Sequence, residues 1–90
     1  MLQAKVVVYG MVQGVGFRHS LWRTARAKKL NGWVRNRPDG SVEALLQGNR
    51  DAILDVVDWC GSGPVFARVR KVDVSWEEGG KIFHSFDIVF

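Results

Sequence analysis

The sequence predicts an α+β fold in which two helices pack on one face of a mixed, mainly antiparallel β-sheet. Several short segments alternate apolar and polar residues with a period of two, which is typical of strands. Two longer segments without glycine or proline carry apolar residues at helical spacing. Turn residues separate these segments in the order β-α-β-β-α-β, with one extra strand at the C-terminal end.

The first elements are a strand, a glycine-rich turn and a helix. Lys5–Tyr9 is β-branched and aromatic, so it predicts a strand. Met11–Gly16 predicts the turn. The next segment, Phe17–Lys29, predicts a helix, and Asn31-Gly32 is expected to stop it. The apolar face of this helix has a spacing of four residues and consists of Phe17, Leu21 and Ala25.

A β-hairpin follows the first helix. Trp33–Asn36 predicts the second strand and Ser41–Gln47 the third. The segment between them, Arg37–Gly40, predicts a turn, because its proline pre-sets φ and its glycine accepts positive φ. One face of the third strand is expected to carry Val42, Ala44 and Leu46.

The second half of the chain predicts another helix and two strands. Asn49 can cap the helix and Gly61–Pro64 ends it. Its core stripe has the spacing i, i+3, i+4, i+7 and consists of Ile53, Val56, Val57 and Cys60. Phe66–Trp76 predicts the fourth strand. Its inward pattern changes phase between Val69 and Val72, which predicts a bulge or bend.

The last strand follows a turn at Glu78–Lys81, and its alternating residues are Phe86, Ile88 and Phe90. The complete order of elements matches the split βαβ, or ferredoxin-like, arrangement. Ninety residues without a linker or repeat predict a single domain over residues 1–90.

Composition narrows the class of protein without choosing a function. Hydrophobic residues make up 47% of the chain, which is enough for a core that needs no disulfide or metal to hold it together. The single cysteine excludes an intrachain disulfide. No signal peptide or long apolar segment is visible, so we expect a cytoplasmic protein with no membrane partner. The sequence leaves the oligomeric state open, and so small a chain is most simply a monomer. The net charge of +4 favours anionic ligands: small phosphorylated molecules, nucleic acid or acidic lipid.

The glycine-rich turn lies where a strand leads into a helix. The first N–H groups of a helix have no intrahelical partner, and glycines allow successive N–H groups to converge on an anion. Arg18 falls at the helix start, where a guanidinium can bind two phosphate oxygens. A tight turn with Arg18 as a plain surface charge remains an equal alternative from this segment alone.

Asn36 ends the second strand. In a split βαβ arrangement the first two strands are parallel and the third separates them, so their C-terminal ends lie at one edge, roughly 10 Å apart. That gap can hold a phosphoryl group and a water molecule, with Arg18 on one side and Asn36 on the other.

Two long motifs in this sequence resemble the signatures of the acylphosphatase family. Gly10–Arg18 is similar to the first signature, G-x-V-Q-G-V-x-F-R, at every fixed position. Gly32–Asn36, followed by Gly40, Val42 and Gly48, is similar to the second, with each spacing kept. Further similarity covers Gly63–Val69 and Phe86–Ile88. The chain departs from many relatives at Lys28-Lys29-Leu30, where they have Leu-Gly-Leu, and this places the helix C-cap in question.

The resemblance implies hydrolysis of the carboxyl–phosphate bond of a small acyl phosphate, with Arg18 as the phosphate ligand and Asn36 orienting the water. It also implies a cradle of backbone N–H groups from Gln13, Gly14, Val15, Gly16 and Phe17. We expect no cofactor and no metal, since His19, His84 and Cys60 are scattered along the chain. Inorganic phosphate is expected to be both product and competitive inhibitor.

Two other functions are alternatives to acyl phosphate hydrolysis. A ferredoxin-like sheet can bind RNA, but the aromatic RNP1 pattern is absent, so we expect no nucleic-acid partner. Similar domains also form the N-terminal part of larger carbamoyl-transfer proteins, whose zinc-finger-like domains this sequence lacks, and a stand-alone enzyme is expected. The sequence leaves open whether His19 or Lys5 contributes to the site.

Overall fold

The computed structural model describes all residues from 1 to 90 and confirms the predicted fold class. Two helices cover one face of a five-stranded mixed sheet with the strand order β4-β1-β3-β2-β5. Neither helix is long and apolar enough to cross a membrane. The elements are β1 (Leu2–Met11), α1 (Phe17–Ala27), β2 (Asn31–Asn36), β3 (Val42–Gln47), α2 (Arg50–Cys60), β4 (Arg68–Glu78) and β5 (Phe86–Val89).

The core lies between the sheet and the two helices, on the faces that the sequence predicts. Each of its principal side chains is at most 1% exposed. The sheet contributes alternate residues of its two central strands, and the helices contribute one stripe each, as periodicity requires. These residues are Ala4, Val6 and Val8 of β1, Val42, Ala44 and Leu46 of β3, Phe17, Leu21 and Ala25 of α1, and Ile53, Val56 and Cys60 of α2.

The predicted cap of α2 and the predicted bulge of β4 are both present. The Asn49 side chain accepts hydrogen bonds from the backbone N–H groups of Asp51 and Ala52. Tyr9 pairs with Lys71 but Gly10 pairs with Val69, so Arg70 is the extra residue of a bulge. The predicted start of β4 at Phe66 is wrong, because the turn closed by the Ala67 N–H and the Pro64 carbonyl delays pairing until Arg68.

Helix α1 ends earlier than the sequence predicts, and a different residue ends it. Lys29 has a left-handed conformation with φ 60°. Its N–H bonds to the Arg26 carbonyl and the Leu30 N–H bonds to the Ala25 carbonyl, each at 3.0 Å, which is the Schellman pattern. The expectation that Asn31-Gly32 stops the helix is therefore wrong, since these residues already belong to β2.

Strand β5 pairs in parallel with β2, in a register that joins Gly32 to Phe86 and Arg35 to Val89. The indole Nε1–H of Trp22 donates to the Phe86 carbonyl at 3.0 Å, so α1 is tied directly to this strand. Because β5 runs in the same direction as β2, its C-terminal end reaches the sheet edge at which β2 ends.

Candidate active site

The C-terminal ends of three strands meet at one edge of the sheet. β1 and β2 each pair antiparallel with β3, so they are parallel to one another with β3 between them, as predicted. A cleft of about 280 Å³ opens at this edge, close to the lower size limit of ligand sites. Five of the predicted site residues line it, namely Gly14, Gly16, Phe17, Arg18 and Asn36.

The cradle segment turns into helix α1 through two glycines in left-handed conformations. Gly14 has φ 75° and Gly16 has φ 79°, values that side-chain-bearing residues rarely adopt. Space around both is open, so backbone conformation rather than crowding requires glycine. Gly16 is the N-cap of α1; no side chain caps the helix and no acidic residue lies in its first turn. The positive end of the helix is therefore available to an anion.

Gln13 and Val15 do not line the cleft, although the sequence placed both in the cradle. The Val15 side chain packs against the core. The Gln13 Nε2 group donates to the Arg37 carbonyl at 2.8 Å and the Ser41 carbonyl at 2.9 Å. This contact, which the motifs do not predict, ties the cradle to the hairpin turn that follows Asn36. The relative position of the two halves of the site is therefore fixed by a side chain outside the cleft.

Arg18 and Asn36 both face the cleft with their polar groups free of other protein partners. Arg18 is half-buried in the first turn of α1, and every ion pair of the chain involves other side chains. The Phe90 ring lies 4.8 Å from its guanidinium carbon. Asn36 is the last residue of β2, pairs with Val42 and is half-buried. A cation and an amide therefore remain available to a ligand.

Two further cleft residues are Ile88 of β5 and Phe90, which follows directly after this strand. The sequence predicts the strand but gives no sign of which edge it joins, because an alternating segment can pair with either outer strand. Pairing with β2 rather than β4 brings its end to the cleft.

His19 and Lys5, which the sequence left open, lie in different places. His19 lines the cleft, and its exposed ring lies 5.4 Å from that of Trp22. Lys5 lines a separate cleft on the helix-free face of the sheet, together with Trp33 and Arg35. Because β1 directs the Lys5 side chain away from the helices, Lys5 does not line the cleft that contains Arg18.

The hairpin turn beside Asn36 has its own hydrogen-bonded support. The Asp39 carboxylate accepts hydrogen bonds from the Ser41 hydroxyl and, at 2.9 Å, from the Ser41 N–H. These two hydrogen bonds, the one from the hydroxyl most of all, lower the pKa of Asp39. This exposed carboxyl therefore stays ionised at a lower pH than an ordinary aspartate does. The turn conformation is therefore maintained at neutral pH.

No group of three or more His, Cys, Asp or Glu side chains comes together in an arrangement that could hold a metal ion. The chemical groups of the cleft are instead one guanidinium, one amide, one imidazole and the backbone of a helix N-terminus. Such a set is suited to a small anion such as phosphate.

The fold and the cleft together define a ferredoxin-like protein with a cleft between a glycine-rich loop and the end of a parallel strand. The family model described as acylphosphatase matches residues 4–88. The chain is 47% identical over 90 residues to the acylphosphatase of Roseiflexus sp. strain RS-1, covering 100% of this chain and 97% of that one. The protein belongs to the acylphosphatase family.

Other relatives agree with this assignment. The acylphosphatase of Thermococcus kodakarensis is 48% identical over 77 residues, covering 86% of this chain and 85% of that one. The crystal structure of acylphosphatase from Bacillus subtilis superposes with a TM-score of 0.96 at 40% identity over 100% of both chains. HypF of T. kodakarensis has a similar domain, with a TM-score of 0.86 at 27% identity, but the match covers only 12% of that chain.

Proposed function

We propose that this chain hydrolyses the carboxyl–phosphate bond of small acyl phosphates, giving a carboxylate and inorganic phosphate without a metal ion. The observation that carries the proposal is the single cleft in which Arg18, Asn36 and the glycine cradle face one another. Membership of the acylphosphatase family supplies the substrate class.

The phosphoryl group binds between the cradle and Arg18. The N–H groups from Gly14 to Phe17 and the positive end of α1 attract its oxygens, and the guanidinium fork matches two of them. The N–H groups and the guanidinium together neutralise the charge that develops on the equatorial oxygens during phosphoryl transfer.

Asn36 places the attacking water. Its side-chain amide hydrogen-bonds the water in line with the phosphorus, although an amide is too weak a base to remove a proton. The water oxygen bonds to phosphorus while the bond from phosphorus to the acyl oxygen breaks, and the electron pair leaves with the carboxylate. The water proton passes to phosphate or solvent. A carboxylate is a good leaving group, so positioning accounts for most of the catalysis.

Further parts of the proposal concern the protein's context. Inorganic phosphate, as the product, competes with substrate for the cradle. We also propose a monomer, with residues 1–90 forming one domain, that works in the cytoplasm without nucleic-acid or membrane partners. The net charge of +4 draws anionic substrates toward the molecule as a whole.

The test is hydrolysis of benzoyl phosphate in the presence of EDTA by the wild type, Arg18→Gln and Asn36→Ala. Each substitution is expected to lower kcat/KM by about 10²- to 10³-fold, the usual cost of one transition-state hydrogen-bond donor. Arg23→Gln is the matched control, since Arg23 is an exposed arginine on the same helix outside the cleft. A folded wild type without turnover would contradict the proposed hydrolytic activity. Loss of activity in EDTA would contradict the proposal that no metal ion is needed.

A further inference from the structure

The Arg18 guanidinium lies over an aromatic ring. The Phe90 ring centroid lies 4.8 Å from the guanidinium carbon, within the distance at which cation–π attraction operates. No carboxylate lies within ion-pair distance of Arg18. The ring is therefore the principal protein group that can restrain the position of this cation.

An aromatic face suits a phosphate-binding arginine better than a carboxylate does. A carboxylate would neutralise the charge and occupy the N–H donors that phosphate needs. A ring face attracts the cation through its quadrupole and leaves all five N–H donors free. Restraint also reduces the rotamer entropy that a long arginine side chain loses when it binds its ligand.

The place of Phe90 depends on the fold rather than on core packing. Phe90 is 99% exposed, so its ring contributes little to the hydrophobic core. It follows directly after β5, which the pair of Arg35 with Val89 and the Trp22 hydrogen bond to Phe86 hold in register. The same helix α1 carries both Trp22 and Arg18, so the contact of Trp22 with β5 brings the residue after the strand close to the first turn of the helix.

We infer that Phe90 is a positioning residue that holds the Arg18 guanidinium over the phosphate cradle by its ring face. This inference rests on the proposed function, because it assumes that Arg18 binds the substrate phosphate. If Phe90 acts in this way, removing its aromatic ring weakens the binding of every ligand with a phosphate group to the same extent.

The experiment compares the wild type with Phe90→Ala, Phe90→Leu and Phe90→Tyr. We measure kcat/KM for acetyl phosphate and for benzoyl phosphate, together with the inhibition constant of inorganic phosphate. Phe90→Ala and Phe90→Leu are expected to lower both kcat/KM values, and to raise the inhibition constant, by about 2- to 5-fold. Phe90→Tyr is expected to retain wild-type values because it keeps the ring.

Phe66→Ala is the matched control, since Phe66 is an exposed phenylalanine in the turn before the opposite edge strand, β4, and does not line the cleft. It is expected to leave all three values unchanged. Circular dichroism and thermal unfolding report whether each variant is folded, and the exposure of Phe90 predicts that all are.

Three outcomes would overturn the inference. Wild-type values in Phe90→Leu would show that the π face is not needed. A loss confined to benzoyl phosphate would show that the ring contacts the acyl group instead of positioning Arg18. A folded wild type that neither hydrolyses acetyl phosphate nor binds inorganic phosphate would overturn the proposed function as well, and this result differs from the other two.

Discussion

At the scale of single residues, the site depends on groups whose polar atoms the protein leaves free. Arg18 makes no ion pair, and Arg18 and Asn36 both face the same cleft. The sequence predicted that these two residues lie on either side of one gap at the sheet edge, and both line the cleft there. The roles proposed for them come from the resemblance to the family. The role of Gln13 could not be predicted in the same way, since its side chain contacts backbone carbonyls that only the folded hairpin presents.

Cys60 illustrates a residue whose chemistry the fold suppresses. Its thiol is fully buried in the α2 stripe, and burial raises its pKa to about 12. At pH 8 we therefore expect thiol reagents such as DTNB to label the native protein only through unfolding. The labelling rate should rise steeply with urea, and rapid labelling of the native protein would contradict this burial.

The same group makes stability depend on pH. The folded-state pKa exceeds the ordinary value of 9.0, so the folded state holds this proton more tightly than the unfolded chain does. The contribution of the neutral thiol is fully present below pH 9 and is lost as the pH rises toward about 12. Cys60→Ala is expected to flatten the decline in the free energy of unfolding over that range.

At the scale of elements, the sequence predicted every helix and strand but placed several ends wrongly. The residue at which a helix or strand ends depends on single backbone conformations, which composition does not reveal. Helix α1 shows this most clearly, because Lys29 adopts the left-handed conformation that glycine adopts more easily. This is also the position at which the sequence departs from many relatives, which have Leu-Gly-Leu in place of Lys28-Lys29-Leu30.

Lys29→Gly is expected to stabilise the protein. A side-chain-bearing residue pays about 1–2 kcal/mol for the left-handed conformation, and the extra entropy of glycine in the unfolded chain offsets part of that gain. We expect the free energy of unfolding in urea to rise by about 0.5–1 kcal/mol. Lys28→Gly is the matched control and should not stabilise, because Lys28 has φ −91°. Equal effects from the two substitutions would contradict the capping geometry.

The link between the cradle and the β2–β3 hairpin gives a second prediction at this scale. Gln13→Glu keeps the shape of the side chain but removes both donated hydrogen bonds, since a carboxylate only accepts. We expect the free energy of unfolding to fall by about 1–3 kcal/mol, with a lower kcat/KM as the cradle shifts relative to Asn36. Gln13→Ala separates loss of the bonds from carboxylate repulsion. Wild-type activity in both variants would show that the link does not position the site.

At the scale of the whole molecule, topology is what assembles the site. The order of elements predicted that β1 and β2 run parallel on either side of β3, and hence that the cradle and Asn36 share one edge. The position of β5 could not be predicted, because both outer strands offered a free edge. Its pairing with β2 brings Phe90 to Arg18, so an unpredictable feature of topology supplied the aromatic neighbour of the site.

The most direct test of the proposed division of labour is to measure phosphate affinity and turnover in the same variants. Isothermal titration with inorganic phosphate and steady-state hydrolysis of benzoyl phosphate would compare the wild type, Arg18→Lys and Asn36→Ala. Because an ammonium cannot reproduce the guanidinium fork, we predict that Arg18→Lys loses at least about tenfold in phosphate affinity together with turnover. Asn36→Ala should bind phosphate within about twofold of the wild type yet lose about 10²-fold in kcat. Normal phosphate affinity in Arg18→Lys, or normal turnover in Asn36→Ala, would contradict the assigned roles.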